Sequence, residues 1–348
     1  MLWSLVGVGL MVLTLVVIRD HKSLSRYSYL LGLVGLILLA LPLVWPQPPG
    51  YEEARIWLWL GPFSIQPGEF SKILLLIFFA QLLAQKRALF TVAGKRFLGM
   101  TFPRIRDLAP ILMVWAIAIL IMGISNDFGP ALLLFATVLG MVYFATGRAS
   151  WLFIGVGLVA VGGYAVYQVS SKIQERVSNF IDPFADFDGI GNQPANALIG
   201  LSWGGITGTG LGYGHPELVP VAHSDYILAA IGEELGFVGI AAVLCLFAVF
   251  ITRGFRTAMQ ARDSYGKLLA SGLALTIVIQ IFVVAGGVSA MLPMTGLTTP
   301  FMSAGGSSVM ANYILLGLLL RISNSANRPA DYDAVAAGTA RPEAVGAR

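Results

Sequence analysis

Residues 203–239 read WGGITGTGLGYGHPELVPVAHSDYILAAIGEELGFVG. The stretch opens as a glycine-rich polar segment and closes inside a long apolar run. Between the two lie His215, Glu217, His223 and Asp225, with Glu233 and Glu234 two turns further on. Glycine supplies positive φ angles and close backbone approach, so the first half is expected to fold tightly over something. Acids placed where a polar loop enters a membrane span are costly, and function is the usual reason they persist. The rest of the chain is expected to hold this loop at one membrane face.

Composition points the same way. Of 348 residues 57% are apolar and only 11% charged, and mean hydropathy is +0.79. A soluble globular chain carries about 25% charged residues. The chain is therefore read as an all-α polytopic membrane protein, which excludes aqueous enzymes. The net charge of +4 is not taken as a nucleic-acid signal, because basic residues orient membrane spans. The lone Cys245 can form no internal disulfide and reads as a small apolar filler.

Nine apolar runs are candidate spans, at roughly 1–18, 28–45, 68–85, 108–124, 129–146, 151–169, 226–251, 268–289 and 305–322. No basic stretch precedes the first and no small-residue cleavage site follows it, so a signal peptide is not expected. If the segments 19–27, 86–107, 147–150 and 252–267 and the tail face the cytoplasm, they hold 18 of the 22 Lys and Arg. The opposite face keeps only Arg55, Lys72, Lys172 and Arg176. That skew satisfies the positive-inside rule, with the N-terminus outside and the C-terminus inside. Residues 1–323 form one membrane domain, its extracellular loops at 46–67 and 170–225, the larger before the seventh span. Residues 324–348 have few large apolar side chains and read as a disordered cytoplasmic tail.

Four stretches carry candidate chemistry. In ARIWLWLGPFSIQPGEFSK, Pro67 suits a first helical turn, so a span should begin at Gln66–Gly68. Glu69 and Lys72 are then three apart on one helix face, near an N-terminus whose free N–H groups favour an anion. Arg55 and Lys72 would complete a diphosphate site. Alternatively Glu69 and Lys72 neutralise each other, and the two readings stand about even. Asp127, before Gly129–Pro130, is a candidate for a polar substrate group, although Asp before an apolar run more often caps a helix. In the loop 170–225, Asp182, Asp186 and Asp188 do not have calcium-loop spacing, while Gln193 and Trp203 are candidate sugar contacts. Asp225 stands at the mouth of a span, two past His223. It is a candidate general base if burial raises its pKa, or the ligand of a divalent cation such as Mg2+ or Mn2+ beside a diphosphate. Taken alone, it too reads as a helix cap. Glu233 and Glu234 expect a partner within the membrane. In GGVSAMLPMTGLTTPFMSAGGSS, Pro and Gly break the backbone at membrane depth, which is tolerated only inside protein or around a cavity. Thr295, Thr298, Ser303, Ser307 and Ser308 are expected to face such a cavity rather than simply stabilise a re-entrant loop. No Ser-His-Asp order, P-loop or zinc spacing is present, and no organic cofactor is expected.

With these stretches in hand the chain resembles the SEDS family (shape, elongation, division and sporulation; the RodA, FtsW and SpoVE group). The resemblance is carried by R55-I-W and QPGEFSK at 66–72, NDFGPAL at 126–132, GGITGTGLGYG and AHSDYILAAIGEELGFVG within 204–239, and LPMTGLTTPFMSAGGSS at 292–308. These motifs come in the family's order and span most of the chain. The resemblance implies a peptidoglycan glycosyltransferase that polymerises lipid II at the outer face of the plasma membrane, alongside a class B penicillin-binding transpeptidase and other cell-wall proteins. It implies a catalytic role for Asp225 and substrate contacts from Arg55, Gln66, Glu69 and Lys72. Departures are Gly68 where the family has Ser, Val221 where it has Glu, and Ala304 where it has Tyr. The family norm is ten spans with the N-terminus inside, so one N-terminal span fewer is expected here. The spellings ARIW and QPGEF lean toward the RodA-like branch. Two rival readings remain: a lipid II flippase, which should show the inverted repeats of transporters and here does not, and a non-catalytic scaffold for the transpeptidase.

Overall fold

The computed structural model describes residues 2–48, 50, 55–61, 63–91, 95–97, 100–102 and 105–327, with side chains from 87 to 108 outside that description. Every one of the nine apolar runs is a helix. In chain order these are α1 (Leu2–Val17), α3 (Ser28–Val44), α4 (Pro67–Thr91), α5 (Ile105–Ile124), α6 (Phe128–Thr146), α7 (Ser150–Val169), α10 (Ile227–Gln260), α11 (Ser264–Val288) and α12 (Gly306–Asn327). Three further helices, α2 (His21–Arg26), α8 (Ser171–Ile181) and α9 (Asn192–Gly204), lie between them. Among the described residues, α4, α6, α7, α10, α11 and α12 are long and apolar enough to cross a membrane, and α1, α3 and Ala109–Ile124 of α5 are shorter apolar helices. The chain is a multi-pass membrane protein.

The all-α polytopic reading holds, with two short antiparallel hairpins beside the helices, β1 (Leu58–Leu60) with β2 (Phe63–Ile65) and β3 (Lys95–Phe97) with β4 (Met100–Phe102). Two expectations need correcting. First, the segment 170–225 is not a plain loop: α8, α9 and a 3-10 turn at Pro216–Leu218 occupy about half of it. Both helices are short, so neither shows as an apolar run. Second, α12 continues to Asn327, four residues into the expected tail, the rest of which lies outside the described residues.

The centre of the bundle is α4 against α11, flanked by α6 and α12. Leu75, Phe79 and Leu83 of α4 and Leu269, Leu273 and Ile277 of α11 are fully enclosed. Lipid tails are as apolar as leucine, so close packing rather than escape from water holds such helices together. At Gly32 of α3 an added Cβ would lie 2.8 Å from the Phe78 ring, so only glycine lets α3 ride against α4 there. By contrast α7 touches only α6 and α8 closely and turns most of its surface outward.

α10 is broken. Gly236 adopts φ 67° and ψ −168° inside it, separating two upper turns from the long lower segment. The backbone groups freed by the break are taken up by the glycine loop. Thr209 and Gly210 donate to the carbonyls of Glu233 and Glu234, both at 3.0 Å, and Phe237 and Val238 donate to those of Gly205 and Ile206 at 2.9 and 3.1 Å. Buried backbone polar groups must find partners, and this exchange supplies them. The loop does fold tightly over something, and that something is its own helix.

Candidate functional site

Asp225 is half-buried just ahead of α10, whose cap position is taken by Tyr226. It lines a cavity of about 140 Å³ with Arg176 of α8, Gln193 of α9, Tyr226, Val288 and Gly296. Arg176 is fixed by donating from Nη1 to the Thr295 carbonyl at 2.8 Å. A Cβ added at Gly296 would sit 2.9 Å from Arg176 Nη2 and 4.0 Å from Asp225 Oδ2. Gly296 has φ +71°, so both its conformation and the space beside it reject a side chain. Burial pushes the Asp225 carboxyl above its ordinary pKa, and a backbone hydrogen bond and the charge of Arg176 offset this only in part.

A second acid lies within electrostatic reach of the same arginine, whose own pKa is lowered by burial against the charges of Asp225 and Asp127. Asp127 stands at the N-terminus of α6 but makes no side-chain cap bond. Burial first, and then the charge of Glu69, raise its pKa to about 6, against Lys172, Arg176 and a hydrogen bond from Gln66. Gln66, Arg55 and Asp127 share a narrow crevice. Arg55 itself is exposed and donates to the Leu43 carbonyl at 3.2 Å.

α4 begins at Pro67, as its sequence suggests. Behind Asp127, Lys72 Nζ lies 2.6 Å from Glu69 Oε2, with both side chains buried. Of the two readings for this pair, mutual neutralisation is the arrangement found. The two groups line a small apolar pocket with Pro130 and Leu297, and it meets the Arg55 crevice at Gly68.

Several candidate hydroxyls hold protein rather than facing a cavity. Ser307 Oγ accepts from the Gln66 N–H at 2.9 Å, and Ser308 pairs with Thr298 at 2.7 Å. Ser303 donates to the Ser224 carbonyl and accepts from the Thr299 N–H. The expectation of a hydroxyl-lined cavity is corrected accordingly: backbone that leaves the helix inside a bundle needs internal partners, and these side chains supply them. Thr295 contributes its carbonyl, to Arg176. Glu233 is buried and accepts from the His215 N–H at 2.7 Å, so its carboxyl anchors the glycine loop. His223 is exposed, and its carbonyl accepts from Ala304 at 2.8 Å. Asp182 and Asp186 accept from backbone N–H groups within their own turn. Among the described residues no group of three or more His, Cys, Asp or Glu is placed to hold a metal ion.

Sequence reading passed over Arg176 and Lys172, counting them only as charges on one face. The available signal was their spacing of four, which puts both on one side of a short helix. Lys172 Nζ reaches the Asn126 carbonyl at 3.3 Å, so α8 leans over the start of α6. An apolar groove of about 850 Å³ opens beneath it, walled by Phe128, Phe135, Leu158, Val166 and Tyr167 and ending at Arg176 and Thr295.

A family model for FtsW, RodA and SpoVE, described as "Cell cycle protein", matches residues 1–328. The chain is 53% identical over 330 residues to "Peptidoglycan glycosyltransferase RodA" of Mycobacterium tuberculosis, covering 94% of this chain and 70% of that relative. It is 31% identical over 320 residues to "Stage V sporulation protein E" of Bacillus subtilis, covering 91% and 84%. Among solved structures it resembles one described as "Structural coordination of polymerization and crosslinking by a peptidoglycan synthase complex", with TM-score 0.75, 26% identity and coverage of 94% and 90%. The crystal structure of the Thermus thermophilus rod shape determining protein RodA matches with TM-score 0.64 and 25% identity, covering 94% and 88%.

Proposed function

The chain belongs to the FtsW, RodA and SpoVE family of cell cycle proteins, and from that premise we propose that it is a peptidoglycan glycosyltransferase that polymerises lipid II at the outer face of the plasma membrane. Relatives named as peptidoglycan glycosyltransferases support the activity. Identity to the RodA relative exceeds that to the sporulation and FtsW relatives, which favours the RodA-like branch. The observation that carries the mechanism is Asp225, a carboxyl made more basic by burial, sharing a cavity with a fixed arginine at the head of an apolar groove.

In this mechanism Asp225 takes the proton from the acceptor sugar's 4-hydroxyl. The oxygen attacks the donor's anomeric carbon, and the bond from that carbon to the diphosphate oxygen breaks. The electron pair leaves with undecaprenyl diphosphate, and a single displacement turns an α-linked donor into a β-linked glycan. Arg176, already aimed by Thr295, faces the developing diphosphate charge. The apolar groove takes the start of the prenyl chain, which places the headgroup at Arg176. Gln193 is assigned to the sugar in the Asp225 cavity, and Arg55, Gln66 and Asp127 to the polar groups of the second lipid-linked disaccharide. The neutral Glu69–Lys72 pair supports Asp127 from behind.

A divalent cation, Mg2+ or Mn2+, would have Asp225 as its protein ligand. One carboxylate beside an arginine fits only an ion whose remaining oxygens come from the diphosphate and water, and such an ion would add charge stabilisation to the leaving group. A class B penicillin-binding transpeptidase is the proposed partner, supported by the likeness to a complex that couples polymerisation to crosslinking.

The test is polymerisation of labelled lipid II by purified protein, with Asp225→Asn against wild type, with and without divalent cation. Loss of a general base is expected to slow the reaction by about 10²–10⁴-fold. Wild-type rates in the variant would remove Asp225 from the mechanism. Flipped but unpolymerised lipid II in proteoliposomes would instead mark a transporter.

A further inference from the structure

Far from Asp225, at the opposite end of α10, the lower turns of α10 and α12 enclose a crevice of about 420 Å³, larger than the cavity at the proposed catalytic carboxyl. Its floor is apolar: Phe250 from α10, and Leu316, Leu319 and Leu320 from α12. Its mouth is cationic, with Arg253 and Arg256 one turn apart on α10 and the amides of Gln260 and Asn327 beside them. Both arginines are exposed. Neither guanidinium has a hydrogen-bond or ion-pair partner among the described residues, and no carboxylate lines the crevice. Thr257 Oγ1 donates to the Arg253 carbonyl at 3.0 Å, so it fixes the turn without neutralising the arginines.

The positive-inside rule explains why basic residues are found at this end. It does not explain why two of them share the mouth of an open, greasy-floored slot. An apolar floor with a doubly cationic lip matches a molecule that carries an acyl chain below and a phosphate above, and basic pockets between helices at the cytoplasmic boundary are suited to such headgroups. We propose that the crevice between α10 and α12 is a binding site for an anionic phospholipid of the inner leaflet, its phosphate held by Arg253 and Arg256 and its acyl chain lying on Leu316 and Leu320. Only the assignment to the inner leaflet rests on the topology of the proposed function; recognition by the crevice does not.

The experiment is native mass spectrometry of the full-length protein released from detergent, after equilibration with phosphatidylglycerol or with phosphatidylcholine of the same chains. Wild type should retain one tightly held phosphatidylglycerol, and Arg253→Gln/Arg256→Gln should lower its affinity on the order of tenfold. Arg26→Gln, an exposed basic change on α2 outside the crevice, should not. Should the double variant fold poorly, Leu316→Trp keeps both arginines, fills the floor and should also expel the lipid. Excess inorganic phosphate should leave the lipid in place. Equal retention of phosphatidylcholine, undiminished binding in the double variant, or displacement by inorganic phosphate alone would each overturn the proposal. Polymerisation of lipid II, measured in parallel, reports on the Asp225 site separately.

Discussion

Two acids stand at opposite ends of α10, each just ahead of a long apolar helix, and they are used in opposite ways. Asp263 caps α11: its Oδ2 accepts from the Gly266 N–H at 2.7 Å, and its Oδ1 lies 2.9 Å from Nε2 of the buried His21. Burial alone would raise its pKa, yet His21 and the Gly266 N–H overcome that and hold it at about 2. Asp225 caps nothing, and burial leaves it more basic than a free carboxyl. Asp127 is a third case, at a cap position without the cap bond. In sequence all three read as Asp before a span. What separates Asp263 from the other two is that a helix end and a buried histidine already hold its oxygens.

The sharpest way to break the comparison after Asp225 itself is to remove the cation it faces. Arg176→Gln should lower the polymerisation rate by about 10²–10³-fold, the scale of losing one preorganised donor at a developing anion. The protein should still fold, because α8 sits at the bundle's edge. A rate within twofold of wild type would show that Arg176 only pins Thr295.

Acidification should separate the two ends next. Asp127 has a folded pKa of about 6 against 3.8 for the free group. A carboxyl raised on folding contributes stability that is present at low pH and lost as pH rises through the folded value. Thermal stability should therefore climb as pH falls from about 7 toward 4, and Asp127→Asn should flatten that slope. Polymerisation should fall as pH is lowered, since Asp225 must be unprotonated to accept a proton and burial raises its pKa. Asp263 has the reverse sign: its contribution holds above 3.8 and is lost only as pH drops toward about 2. Parallel loss of stability and activity between pH 7 and 5 would contradict the assignment.

The smallest effect should come from Asp263→Asn, which keeps the shape but removes the charge opposite His21. It should cost about 1–2 kcal/mol of stability through the weakened cap and pairing and leave the rate with lipid II unchanged. A rate loss without a stability loss would mean that the two ends communicate.

Much of this was legible in the chain. Each apolar run became a helix because a 20-residue hydrophobic stretch in lipid has no other way to satisfy its backbone, and Pro67 marked the start of α4 for a local reason. The spacing of Lys172 and Arg176 put both on one helix face, but what Arg176 does there was not legible, since it depends on a carbonyl 119 residues away. The serines of 303–308 misled for a related reason. A polar side chain near a broken backbone signals unmet hydrogen bonds, and sequence does not say whether a ligand or the chain itself will meet them.

The interruption at Gly236 has a mechanical meaning. The glycine loop bridges the break: Thr209 and Gly210 donate to the last residues of the upper piece, while Gly205 and Ile206 accept from Phe237 and Val238 at the top of the shaft below. A tug on that loop from outside would therefore load both sides of the break at once, so Asp225 at the tip of the upper piece is coupled through the loop to the membrane-embedded shaft.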